Sequence, residues 1–227
     1  MSRLASFRLK TDIAVGQYSA VVRELIFGQR LPLLFTDYLI ALHQIIRAND
    51  HLMLVAAGEA RRRLQQGDAS CRGLEEYYLL HQQEETQHAQ WLLEDIEAMK
   101  VSRQAVLSRM PPAEIAALSG CQYYWLYHHH PGLLFGYMVV LECYPMQLSD
   151  IELFRQQTGF PAQAFRTMRV HAELDSGHAH DLLHFLEHCG FSDAVFDGLA
   201  TSAITTCVHL ARIFKSLADR PALSCRA

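Results

Sequence analysis

Two octads, HQQEETQH at residues 81 to 88 and HAELDSGH at residues 171 to 178, share one skeleton: His, a carboxylate four positions on, then His three further. Imidazole and carboxylate together are donors for first-row transition metals. On an α-helix, offsets of four and seven fall at roughly 40° and −20° from the starting residue. His81, Glu85 and His88 would therefore share one face, as would His171, Asp175 and His178. Seven residues rise about 10.5 Å, whereas metal to nitrogen bonds are about 2 Å, so the outer imidazoles of one octad would strain to share an ion. The geometry suits two ions side by side, the middle carboxylate between them, with a facing helix supplying the complementary set.

Glu142 is a further anomaly. It lies in LLFGYMVVLECYP, apolar nearly all round, where an unpaired carboxylate would cost several kcal/mol or stay protonated. It calls for a cation, either a metal or an arginine. Gly177, inside a helical pattern beside His178, predicts crowding against another backbone or a ligand. Cys143 adjoins Glu142 but points about 100° away, as a core residue would. His180, His184 and His188 fall on the face opposite the second octad and are expected to meet solvent, and YHHHP at 127 to 131 is expected at a loop and helix start.

The elements that must position these residues read as helices throughout, with strand signals nearly absent. Apolar positions recur at helical spacing from Leu31 to Ala48, and a second helix is expected from His51 to the QQGD stop at 65 to 68. GLEEYYLLHQQEETQHAQWLLEDIEAMK predicts one long amphipathic helix carrying the first octad. PPAEIAALSG predicts a helix stopping at Gly120. The next helix should span about Pro131 to Gln157, bent at Pro145. A proline-started helix after TGFP carries the second octad to about residue 189, and Ser192 can cap a last helix towards Ala218. The fold class is all-α, with about seven helices in a single domain over residues 1–227.

Composition narrows the function. The formal net charge is −4, there are only three lysines (Lys10, Lys100, Lys215), and no basic run could track a phosphate backbone or an anionic membrane. No nucleic-acid or membrane partner is expected. The N-terminus lacks a signal-peptide core, and the apolar stretch around Glu142 falls short of a bilayer span, so a cytoplasmic protein is expected. The six cysteines are scattered without a CxxC, which predicts neither a thiolate zinc site nor a disulfide framework.

A Glu in a central helix, H-x3-D-x2-H about thirty residues later, and a carboxylate and His on a helix about 54 residues before that Glu together resemble the heme-oxygenase-like diiron oxidases and oxygenases. The resemblance runs from about the third helix to the sixth. It implies a seven-helix bundle around two iron ions, O2 as co-substrate, and a small amine, amino acid or fatty acid as substrate. Carried over by position, it implies His88, Glu142, His171, Asp175 and His178 as ligands. Members place a further Glu either seven residues before the first His, where this chain has His81, or three before, where it has Glu85. The partition expected from this is Glu85, His88 and His171 at one ion, and Glu142, Asp175 and His178 at or bridging to the other. Tyr78, Tyr124 and Tyr137 are the pocket-lining candidates, and an amino acid or amine is the favoured substrate. Dimerisation is expected by fold analogy only. Two rivals remain: a ferritin-like diiron protein, suggested by Glu85-x-x-His88 with Glu59 upstream, and a metal-free thiaminase-II-like hydrolase using Cys143.

Overall fold

The computed structural model describes residues 2–26, 28 and 30–219, without the side chains at 25, 26 and 174–176. The helices are α1 (Arg3–Ile26), α2 (Leu31–Gln65), α3 (Leu74–Glu85), α4 (His88–Ala98), α5 (Arg103–Leu107), α6 (Ala113–His128), α7 (Leu134–Glu142), α8 (Leu148–Thr158), α9 (Arg166–His188) and α10 (Asp193–Ala218). No strand occurs among the described residues. The architecture is all-α, as expected. Helix α7 is buried along almost its whole length and lies between α10 and α9, while α3 and α4 pack on α2. Helix α9, with the second octad, packs beside α7, and α3 reaches α7 through side chains, Tyr77 and Tyr78 against Phe135 and His81 against Glu142.

Several boundaries depart from the sequence expectations, each for a local reason. Asn49 and Asp50 are cap-type residues, yet α2 runs through them unbroken; Asn49 Oδ1 instead accepts a hydrogen bond from the Tyr137 hydroxyl at 2.6 Å. The long helix expected over 73–100 is divided into α3 and α4 at Thr86 and Gln87. The Thr86 hydroxyl donates to the Gln82 carbonyl four residues back at 2.7 Å, a bond that competes with the helical ladder and bends it. Gly120 does not stop α6, which continues to His128. The helix expected from Pro131 to Gln157 is three pieces, a short turn at Pro131–Leu133, then α7, then α8. Its break falls just after Glu142, because proline at 145 disfavours helical backbone before it. Ser192 caps α10 as expected, its hydroxyl accepting from the Val195 amide.

Gly177 is a correction as regards backbone crowding: a Cβ there would meet nothing within 4 Å among the described residues, so it marks no close approach of another backbone. A glycine that does mark a close approach to another backbone is Gly136, where a Cβ would overlap the Leu199 carbonyl, Ser202 and Ala203 of α10. That contact lets α7 lie against α10 and sets the height at which Glu142 ends. Helix α10 is long and apolar enough by composition to cross a membrane. Its apolar face, including Phe196, Leu199 and Phe214, is buried against α1, α6 and α7 instead.

His130 ties the segment before α3 to the segment before α7. Its Nδ1 accepts from the Gly132 amide at 3.0 Å, so the neutral ring carries its proton on Nε2 and offers it to the Ser70 hydroxyl at 3.0 Å, which in turn donates to Asp68. Burial pushes the His130 pKa down to about 4, overcoming the opposite pull of Asp68. An unfolded histidine titrates near 6.5, so below that pH the unfolded chain takes up a proton that the folded one refuses. Stability from this group is therefore full above pH 6.5 and lost as pH falls towards 4, by up to roughly 3 kcal/mol. Urea unfolding at pH 7 and pH 4.5 should show a stability gap between the wild type and His130→Gln that narrows on acidification. A gap independent of pH would contradict this account.

Candidate metal centre

The structure brings six of the seven candidate ligands into two adjacent groups. One holds Glu85, His88 and His171; the other holds His81, Glu142 and His178; in each, three donor atoms lie within 4.8 Å of one another. The side chain of the seventh, Asp175, lies outside the described residues, although its position on α9 is one helical turn from both His171 and His178. The division of α3 from α4 re-aims His88, which closes on His171 with ring centroids 4.5 Å apart. On the other side His81 meets His178 at 5.0 Å between centroids.

Hydrogen bonds hold each group together. His88 Nδ1 donates to Glu85 Oε2 at 2.6 Å, and His81 Nε2 donates to Glu142 Oε1 at 3.0 Å. Glu85 also reaches across: its Oε1 lies 3.7 Å from His178 Nδ1. One carboxylate therefore touches both groups. Glu142 Oε2 and His178 Nδ1 are buried and make no hydrogen bond among the described residues. Buried polar atoms in that condition are costly unless something binds them.

The electrostatics are those of a desolvated cluster of opposite charges. Burial pushes the Glu142 carboxyl up, against the lowering effect of His81. Burial also acts to raise Glu85, but its hydrogen bond to His88 and the charges of His88, His171 and His81 hold it below the usual range. Burial would depress His81, yet the carboxylates of Glu142, Glu85 and Glu84 outweigh it and raise the imidazole. Nitrogen and carboxylate donors with orphaned oxygen and nitrogen atoms fit a pair of divalent transition-metal ions. Tyr77 lies parallel to the His81 ring with centroids 6.0 Å apart, and Trp91 backs His88, so aromatic walls limit where the imidazoles can turn.

His81, Glu85, Glu142 and His171 all line a cavity of about 240 Å³ between α1, α2, α3, α4, α7, α9 and α10. Its remaining wall is largely apolar, with Ile45, Met53, Met138 and Leu210 among the residues, and hydroxyls from Tyr18, Ser19 and Thr167. No Arg or Lys lines it among the described residues. Of the three tyrosines expected at a pocket, Tyr137 lines the cavity with its hydroxyl on Asn49. Tyr78 does not; it is fully buried and donates to the Pro131 carbonyl at 2.9 Å. Tyr124 is 57% exposed and packs at a tilt against His128, and it does not line the cavity. The aromatic spacing could not separate core, cavity and surface. Contributions from α1, such as Tyr18 and Ser19, carried no signal in the sequence beyond helical periodicity.

A third grouping, Asp68, Cys71 and His130, has donor atoms equally close. There Nε2 of His130 carries its proton towards Ser70, so the hydrogen bonds are satisfied within the group, and burial pushes the Cys71 thiol up to about 11. His180, His184 and His188 lie on the exposed side of α9, as expected. Cys143 is half-buried and does not line the cavity.

Comparison with solved structures agrees on the architecture. A domain of unknown function with a heme oxygenase-like fold from Shewanella denitrificans OS217 superimposes with a TM-score of 0.79 at 17% identity, covering 96% of this chain and 92% of that one. A TenA homolog from Pseudomonas syringae pv. tomato str. DC3000 superimposes with a TM-score of 0.65 at 12% identity, covering 92% of each chain. No curated protein matches the chain in sequence. At such identities the likeness establishes the fold alone: a heme oxygenase-like helical bundle. The family model described as iron-containing redox enzyme matches residues 81–200, more than half of the chain and the span that contains both octads and Glu142, so the chain belongs to the iron-containing redox enzyme family.

Proposed function

We propose that this chain holds two iron ions and uses them with O2 to oxidise a small metabolite. The observation that carries this reading is the pair of nitrogen and carboxylate groups, joined by Glu85, that opens onto a largely apolar cavity. Glu85, His88 and His171 would hold one ion. Glu142 and His178, with His81 and, from its spacing, Asp175, would hold the other. Iron bound there would supply O2 activation and one-electron chemistry that no side chain can. The chain's own part is to place the donors, exclude water and orient the substrate. The apolar wall around Met53 and Met138 does the second, and the Tyr137 to Asn49 hydrogen bond fixes a polar point on the wall for the third.

The expected amino-acid or amine substrate narrows under this lining. With no lysine or arginine on the wall among the described residues, an amino acid would have to lodge its carboxylate at the metal pair and lay an apolar side chain into the cavity. An amine with an apolar body fits equally. Hydrolysis through Cys143 is the rival that the TenA-like fold allows, and the position of Cys143 outside the cavity wall weighs against it.

The test is O2 consumption by the Fe(II)-loaded protein in the presence of the twenty amino acids and of apolar amines and carboxylic acids. At least one compound should accelerate O2 uptake several-fold over protein alone, and Cys143→Ser should behave as wild type. Uptake indifferent to every compound would favour iron storage, and activity without iron that is lost in Cys143→Ser would favour the hydrolase.

A further inference from the structure

Glu84 stands on α3 between His81 and Glu85, and its side chain is 47% exposed, as for an ordinary solvated residue. Its carboxylate is placed otherwise. Oε2 lies 3.8 Å from Nδ1 of His81 and 3.7 Å from Nε2 of His178. In both rings this is the nitrogen turned away from the inner donors: His81 directs Nε2 at Glu142, and His178 directs Nδ1 at Glu85. Among the described residues Glu84 makes no ion pair with Lys or Arg, and these two imidazoles are the ionisable groups its carboxylate faces.

A ring that gives one nitrogen to a metal must keep its proton on the other, and an acceptor for that proton fixes both the tautomer and the ring angle. A carboxylate acceptor also makes the imidazole a better donor. We infer that Glu84 is the shared outer carboxylate of the group of His81, Glu142 and His178, accepting the outward N–H of His81 and of His178 at once, and so orienting both rings and adding a negative charge just outside the ligands. Glu84 is a positioning residue in this role. It touches neither ion nor substrate. Sitting half in solvent, it would close the last fraction of an ångström when the rings take up their ligating tautomers.

The inference rests on the dimetal reading, and the experiment separates the two. Anaerobic titration with Co(II), followed by its visible absorption, and with Fe(II), followed by calorimetry, should give two sites in the wild type. In Glu84→Gln one site should keep its affinity and the other should weaken by about 10- to 100-fold. Glu84→Asp should recover part of the loss. At saturating Co(II) the absorption intensity of Glu84→Gln should match wild type, since no ligand has been removed. Wild-type protein without two sites would overturn the dimetal reading itself. Two wild-type sites that Glu84→Gln leaves unchanged, or weakens equally, would overturn the role of Glu84 alone. A changed Co(II) intensity at saturation would also overturn it, by making Glu84 a ligand.

Discussion

Glu85→Ala should leave a folded helical protein that binds neither ion tightly, with both affinities reduced by at least about a hundredfold, above the range found when only an outer partner is lost. The reason is position. Glu85 accepts from His88 at one oxygen and places the other beside His178, so its loss removes a ligand and a negative charge from both groups at once. Truncation of a buried charge that is paired to two imidazoles would ordinarily destabilise a fold. Here the cost is limited because burying the Glu85 carboxylate is itself unfavourable, and its removal relieves that desolvation. Calorimetric titration with Fe(II) beside thermal unfolding of the apo protein measures both quantities. A variant that kept one ion at wild-type affinity would show that Glu85 serves a single site.

Glu142→Ala should have the second largest effect, and an asymmetric one. It ends the buried helix α7, with Oε2 making no hydrogen bond and burial pushing its carboxyl towards the neutral form. The ion grouped with His81 and His178 should be lost, with affinity down by at least about a hundredfold, while the ion at Glu85, His88 and His171 should remain. The apo variant should unfold no earlier than apo wild type, because alanine removes a desolvated carboxylate from an apolar setting. Retention of both ions would take Glu142 out of the centre. Loss of folding instead would mark it as a structural hydrogen-bonding residue of α7.

How much of this was legible in the sequence depends on whether a residue's neighbours along the helix decide its role. The octads could be read because spacing on one helix settles which side chains share a face, and Glu142 because a carboxylate in an apolar run contradicts its surroundings. The break at Thr86 was hidden: a hydroxyl bonding to the carbonyl four residues back competes only slightly with a helix, and tertiary packing decides the outcome. Continuity of α2 through Asn49 was hidden for the converse reason, since the partner that diverts Asn49 from capping is Tyr137, 88 residues away. Tyr78 and Tyr137 look alike in sequence, and only the placement of Pro131 and Asn49 sends one to the core and the other to the cavity wall. Glu84 was hidden because nothing in α3 alone reports that α9 brings a second imidazole to it.

The central claim is that two ions lie side by side and share Glu85. The most direct test is to load the protein anaerobically with excess ⁵⁷Fe(II), remove unbound metal, admit O2, and record iron content, Mössbauer spectra and EPR on the same sample. Two carboxylate-bridged ferric ions couple to a diamagnetic ground state, so the account predicts about two irons per chain that appear as ferric quadrupole doublets in Mössbauer spectra and give almost no ferric EPR signal. One iron per chain with the strong EPR signal of an isolated ferric ion, or a chain that emerges without iron, would contradict it.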